Sequence, residues 1–177
     1  CFDGNDGAIE VNITGGTAPY TYNWMGNGVV QGSLSQGNLK AGTYILEVVD
    51  DNLCVTSQTY ILTEPQIIAI NTVSKKDILC FGDATGTIEI NVTGGTPSEI
   101  SSGVFEYFYN WTGPNGFTSN AQNVSNLIAG TYKIEVTDNL GCVKQTEIEL
   151  TQPTALKIDY TKTDASCYGA TDGSIDI

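Results

Sequence analysis

Histidine and arginine are both absent from the 177 residues. Without an imidazole there is no Ser-His-Asp or Cys-His arrangement and no side-chain base tuned near neutral pH, so catalysis is not expected. Nothing positions a pair of carboxylates for glycoside chemistry either, because Glu10, Glu47, Glu89 and Glu135 fall on the outward parity of their strands. The seven basic residues are all lysine and stand against 20 acids, for a net charge of −13. With no guanidinium cluster to pair phosphates, nucleic acid is excluded as a partner, and the negative field opposes docking on an anionic membrane. No apolar run reaches the roughly 18 to 20 residues of a membrane helix, so membrane insertion is not expected. The five cysteines include no CxxC pair, and no histidine can complete a zinc site. Disulfides in an oxidising, extracytoplasmic compartment are the better reading.

What is present is a core's worth of apolar residues, 40% of the chain, and a repeat. Cys1-Phe2-Asp3-Gly4-Asn5-Asp6-Gly7-Ala8-Ile9-Glu10 recurs from Cys80 to Glu89 and again from Cys167 to Asp176. Gly15-Gly16-Thr17 returns as Gly94-Gly95-Thr96, Tyr22-Asn23-Trp24 as Tyr109-Asn110-Trp111, Ala41-Gly42-Thr43-Tyr44 as Ala129-Gly130-Thr131-Tyr132, and Cys54 as Cys142. Cys80 follows Cys1 by 79 residues but Trp111 follows Trp24 by 87, so the second copy carries an eight-residue insertion at 97–104.

The apolar period is two throughout: Ile88, Ile90 and Val92 alternate with Glu89 and Asn91, and Tyr132, Ile134 and Val136 with Lys133, Glu135 and Thr137. Such strands, broken by Gly, Asn, Asp and Pro clusters, predict an all-β chain of tandem immunoglobulin-like, PKD- or fibronectin-like β-sandwich repeats stacked end to end. Trp24 and Trp111 take the buried tryptophan position of a central strand. Tyr44 and Tyr132 take the corner at which a tyrosine hydroxyl bonds back to the chain. Pro65 and Pro153 each follow an alternating strand and mark the ends of modules. The expected division is 1–65, a repeat without its first strand; 66–153, a complete repeat; and 154–177, the first two strands of a third. Cys1 stands inside a motif with no signal peptide before it, so the chain is expected to be a piece of a longer protein.

The order Cys-x-Gly-x-x-Asp-Gly-x-Ile, Gly-Gly-Thr, Pro-Tyr-x-Tyr-x-Trp, Leu-x-Ala-Gly-Thr-Tyr, Val-x-Asp-x-x-Gly-Cys and Glu-Pro resembles the SprB repeat of Bacteroidetes gliding-motility adhesins. Leu53 stands where that pattern has glycine, Asp83 and Gly86 are displaced from its Asp-Gly pair, and 97–104 is additional. The resemblance implies export through the type 9 secretion system, display on the outer surface of a bacterium, and service as a filament or adhesin in attachment or gliding. The implied partners are neighbouring repeats of the same chain, and beyond them surface polysaccharide or other adhesin chains.

Three sets of side chains are candidates for more than packing. The cysteines allow bonds inside each repeat, Cys1 with Cys54 and Cys80 with Cys142, which leaves Cys167 over. They also allow staggered bonds between neighbours, such as Cys1 with Cys142. Strands of about seven residues separate the two ends of a sandwich by roughly 23 Å, while a disulfide spans only about 7 Å between Cα atoms, which favours the staggered pattern. Free thiols are the third alternative. The acidic turns offer oxygen ligands for calcium, with Asp3, Asn5 and Asp6 at one end of a module and Asp50, Asp51, Asp138 and Asn139 at the other. Asx turns explain the same residues without a metal, and no other cofactor is indicated. Among the aromatics, Phe108 and Phe117 lie off the alternating face or in a loop and are the candidates for binding a ligand. A glycan- or protein-binding module using 97–104, or an accessory region of a secreted enzyme, are the alternative functions. Ile45 and Val49, apolar on an outward parity, hint at a lateral filament contact.

Overall fold

The structure is a computed structural model that describes every residue except Gly103, and every side chain except those of Ile100, Gly103, Val104 and Phe105. In the first copy of the repeat the strands are β1 (Gly7–Ile9), β2 (Thr21–Met25), β3 (Gln36–Leu39), β4 (Gly42–Val49) and β5 (Val55–Leu62). The second copy contains β6 (Ala69–Lys76), β7 (Gly86–Thr93), the inserted hairpin β8 (Ser98–Ser101) and β9 (Val104–Glu106), then β10 (Phe108–Thr112), β11 (Thr118–Ser119), β12 (Val124–Leu127), β13 (Gly130–Thr137) and β14 (Val143–Leu150). The third begins with β15 (Thr161–Thr163) and β16 (Ser174–Asp176).

Strand order identifies the architecture. The second copy forms one sheet in the order β12-β7-β6 and another in the order β11-β10-β13-β14. Leaving out the hairpin, the first, second and fifth strands share one sheet and the third, fourth, sixth and seventh the other, which is the division of an immunoglobulin-like sandwich. The first copy repeats it with sheets β1-β3 and β2-β4-β5. The insertion at 97–104 contributes β8, and Ser98 pairs with Glu106 and Glu99 with Phe105. Part of that insertion, Gly103, lies outside the described residues.

The chain divides into two units. One comprises Cys1–Asn71, Asn91–Asn110 and Glu135–Thr146, the other Thr72–Ile90, Trp111–Ile134 and Glu147–Ile177. In the first, the core closes between the two sheets of the first copy: Ile9 and Leu39 from β1 and β3 meet Trp24, Tyr44, Leu46 and Val48 from β2 and β4. These positions recur every second residue because a pleated strand sends alternate side chains to one face. The Trp24 indole donates to the Ser33 carbonyl at 2.8 Å, and the Tyr44 hydroxyl to the Lys40 carbonyl at 2.8 Å. In the second unit Trp111 donates to Ala121 at 2.9 Å and Tyr132 to Ile128 at 3.0 Å. All four rings are buried, and each polar tip has its partner. A methyl group on Gly86 would meet Leu150, Ile78 and the Leu127 carbonyl within 3.2 Å, so a bare backbone is needed where the strands close on one another.

Leu53 occupies φ 64, the left-handed region, at the turn where Gly141 occupies φ 79. Its side chain is 80% exposed and gains little from packing. Leu53→Gly is therefore expected to stabilise the first copy by about 0.5–1 kcal/mol, seen as a higher urea midpoint.

Candidate functional site

Each copy has a turn between its last two strands, at Asp50–Cys54 and Asp138–Cys142, and the aspartate organises both. Asp138 accepts the amides of Leu140 and Cys142 on Oδ1, at 3.0 and 2.8 Å, and that of Thr96 on Oδ2 at 2.8 Å. Main-chain bonds close the same knot, from Asn139 to the Thr96 carbonyl at 3.0 Å and from Asp138 to the Cys142 carbonyl at 3.0 Å. Asp138 is only 1% exposed, so the amide donors stand in for the water it has lost. Asp50 makes the equivalent bonds to Asn52, Cys54 and Thr17 at 3.0, 2.8 and 3.0 Å in a more open setting. Gly-Gly-Thr is thus the second half of the turn motif, since it supplies Thr17 or Thr96 to the carboxylate from the neighbouring loop.

The Asp138 knot presents Cys142 to the first copy. Cys1 and Cys142 form a disulfide with Cα atoms 5.4 Å apart, across a sequence separation of 141. Around it, Gly95 donates to the Gln66 carbonyl at 2.7 Å, and Phe2, Ile67 and Val143 line an open cavity beside the bridge. A second hollow lies between Leu140 and the Leu39–Ala41 and Leu62–Pro65 segments. Asp3 sits at this end too: its carboxylate pairs with Lys40 at 2.7 Å, and its amide donates to the Glu64 carboxylate. Both side chains are more than half exposed, so the pair contributes little stability by itself. Cys54, Cys80 and Cys167 are unpaired and exposed.

The structure separates the other candidates. No three histidine, cysteine, aspartate or glutamate side chains converge to hold a metal ion among the described residues. Asp50 and Asp138 are engaged by amides and Asp3 by Lys40, while Asn5, Asp6, Asp51 and Asn139 are exposed around them. Phe108 projects from β10 and is 64% exposed. Phe117 does not offer a free face: it is half-buried, with its ring edge-on to Tyr132 at 5.3 Å between centroids. Ile45 and Val49 are likewise half-buried. Sequence reasoning passed over Gln36, 5% exposed, whose amide group ties down both the N–H and the carbonyl of Val30 at 2.7 and 2.8 Å. Gln122 and Asn123 do the same for Ile90, so a polar side chain at the start of β3 or just before β12 was the available signal.

The cysteine and threonine amides hold the Asp50 carboxyl below its ordinary range, the Cys54 N–H being the largest influence. The Thr151 amide, and after it Lys75, do the same for Asp77. A depressed folded-state pKa stabilises the fold above the unfolded value and loses that contribution as pH falls through the folded one. Stability is therefore expected to hold from neutrality down to about pH 4 and to fall below it. Acid titration followed by tyrosine fluorescence checks this, with Asp50→Asn shallowing the fall.

Fold and junction together define a class: an all-β chain of immunoglobulin-like repeats, with adjacent copies joined by a disulfide between the start of one and the last turn of the next. The SprB repeat model matches residues 1–29 and 72–98, at the start of the first copy and across β6 and β7 of the second. No curated protein sequence matches the chain. Among solved structures it is similar to the amphioxus IgVJ-C2 molecule, at 15% identity and a TM-score of 0.40, covering 86% of this chain and 99% of that one. It is also similar to Dpr2 Ig1-Ig2 in complex with DIP-Theta Ig1-Ig3, at 12% identity and a TM-score of 0.31, covering 82% of this chain and 59% of that one.

Proposed function

We propose that the chain is a non-catalytic structural and adhesive segment of a large bacterial surface adhesin, exported by type 9 secretion and serving attachment or gliding. The observation that supports this most is the Cys1–Cys142 bond. It needs an oxidising compartment, and it ties one repeat to the next so that a pull on the array is borne by a covalent link. The net charge of −13 keeps densely displayed copies apart and soluble. Antibodies raised against the purified chain should label intact cells of the source bacterium and block their attachment to a surface. Labelling that requires permeabilised cells would overturn the reading.

The β8–β9 hairpin and the exposed Phe108 favour a second reading, a glycan- or protein-binding module. Binding on a glycan array that disappears on deletion of 97–104 would support it over a purely structural role.

A further inference from the structure

The two copies of the repeat present different outer faces on their second sheet. In the first copy β2, β4 and β5 pair without a break, from Thr21 opposite Val49 to Met25 opposite Ile45, and from Gly42 opposite Leu62 to Val49 opposite Val55. Trp24, Tyr44, Leu46 and Val48 point into the core, so the residues between them point outward, in rows that cross the sheet. Thr21, Val49 and Val55 form the row beside the Asp50–Cys54 turn, and Asn23, Glu47 and Ser57 the next. Farther from that turn come Met25, Ile45 and Thr59, and then Thr43 and Ile61. Glu47 carries the one charge in these rows. Met25 and Ile61 are 47% and 72% exposed, and Ile45 is half-buried between them.

The sandwich does not demand this composition. At the equivalent positions the second copy has Lys133 for Ile45, Glu147 for Thr59 and Glu149 for Ile61, with Glu135 for Glu47. These residues lie on β13 and β14 with the same outward parity. The fold therefore accepts charge at each place, and the aliphatic side chains of the first copy need another reason. On a chain of net charge −13, this face is where two copies can approach with least repulsion. It has no aromatic ring on which a sugar could stack and no lysine to pair an anionic ligand. A second copy brings a sheet of identical twist, and sheets of matched twist pack face to face about 10 Å apart, turned by about 30°.

A two-fold axis running across the strands at the Ile45 row sets Ile45 against its counterpart, with Met25 and Thr59 likewise against theirs. Glu47, two residues along β4, is then about 13 Å from the other Glu47 by strand rise. That exceeds the roughly 8 Å over which charges act at physiological salt. The same operation brings Glu47 to the Thr43–Ile61 row, where a threonine hydroxyl can donate to it.

We infer that two copies of this chain dock through the outer face of β2, β4 and β5 as a closed two-fold pair. Both partners use the same surface, so the contact ends at two copies. Three strands of up to eight residues cover about 350 Å², short of the roughly 800 Å² per partner of a stable complex. The pair is therefore weak in isolation and gains strength where tethered copies meet at several points. Pairing of this kind does not require the adhesive role.

The test uses the full chain with Cys54, Cys80 and Cys167 changed to serine, so that no unpaired thiol can link copies. Sedimentation should show 18.8 kDa monomers in equilibrium with dimers alone. The dimer fraction should rise with concentration and with added salt, which screens the repulsion between two acidic chains. Ile45→Lys combined with Ile61→Glu gives the first copy the second copy's own residues, and should leave only monomer with the urea midpoint unchanged. In the same serine background a short bis-maleimide should join Thr59→Cys to itself between differently tagged copies. Glu147→Cys, the equivalent position on the second copy, should not be joined. A monomer at every concentration, a ladder beyond the dimer, a dimer that survives Ile45→Lys with Ile61→Glu, or equal cross-linking at Glu147→Cys would overturn the inference.

Discussion

Asp138→Ala is expected to lower the stability of the chain by about 3–5 kcal/mol, because three amide donors lose a charged acceptor inside a site almost closed to water. Hydrogen bonds to an ionised group are each worth about 1.5–3 kcal/mol, and amides left unsatisfied keep their desolvation cost. Asp138→Asn is the sharper probe. Its Oδ1 can still accept from Leu140 and Cys142, but its NH2 group would face the Thr96 N–H, donor against donor. An intermediate loss is therefore expected for asparagine, and a smaller loss for Asp50→Ala, whose amides can turn to water. Urea unfolding of the three variants gives the order. Equal effects for Asp50→Ala and Asp138→Ala would show that burial of the knot is not what matters.

Cys142→Ser is the second large change. Bridging a sequence separation of 141 removes chain entropy from the unfolded state that corresponds to about 5 kcal/mol in the loop-closure model, and measured bridges commonly give about 2–4 kcal/mol. A loss of about 3–5 kcal/mol is expected, with the same loss when the native chain is reduced. The link also acts on the Asp138 knot, because Cys142 supplies an amide to the carboxylate and a sulfur to Cys1. The double variant Asp138→Ala/Cys142→Ser should therefore lose less stability than the sum of the two single losses.

Strands and sandwich division were legible in the sequence because a half-buried strand must alternate, and both copies alternate in the same order. The reason Cys1 lies beside Cys142 can also be read there: strand lengths put Cys1 and Cys54 at opposite ends of one module, too far apart for a bond. Leu53 was legible by comparison, since glycine at 141 marks a turn that needs a positive φ. Other features were not. An aspartate in a turn looks the same in sequence whether its oxygens face solvent, a cation or three amides, and only the approach of Thr96 from a distant loop makes Asp138 a buried acceptor. Phe117 reads as an exposed loop residue because the path of the chain through Pro114–Gly116, which lays its ring against Tyr132, leaves no periodic trace. Gln36 was missed because a buried polar side chain breaks the alternation by which strands are recognised.

The claim on which the rest depends is that adjacent repeats are joined through Cys1 and Cys142. Proteolysis of the oxidised, alkylated chain followed by mass spectrometry without reduction tests it directly. The account predicts a linked peptide pair containing Cys1 and Cys142, with Cys54, Cys80 and Cys167 recovered alkylated; a Cys1–Cys54 or a Cys80–Cys142 pair would contradict it.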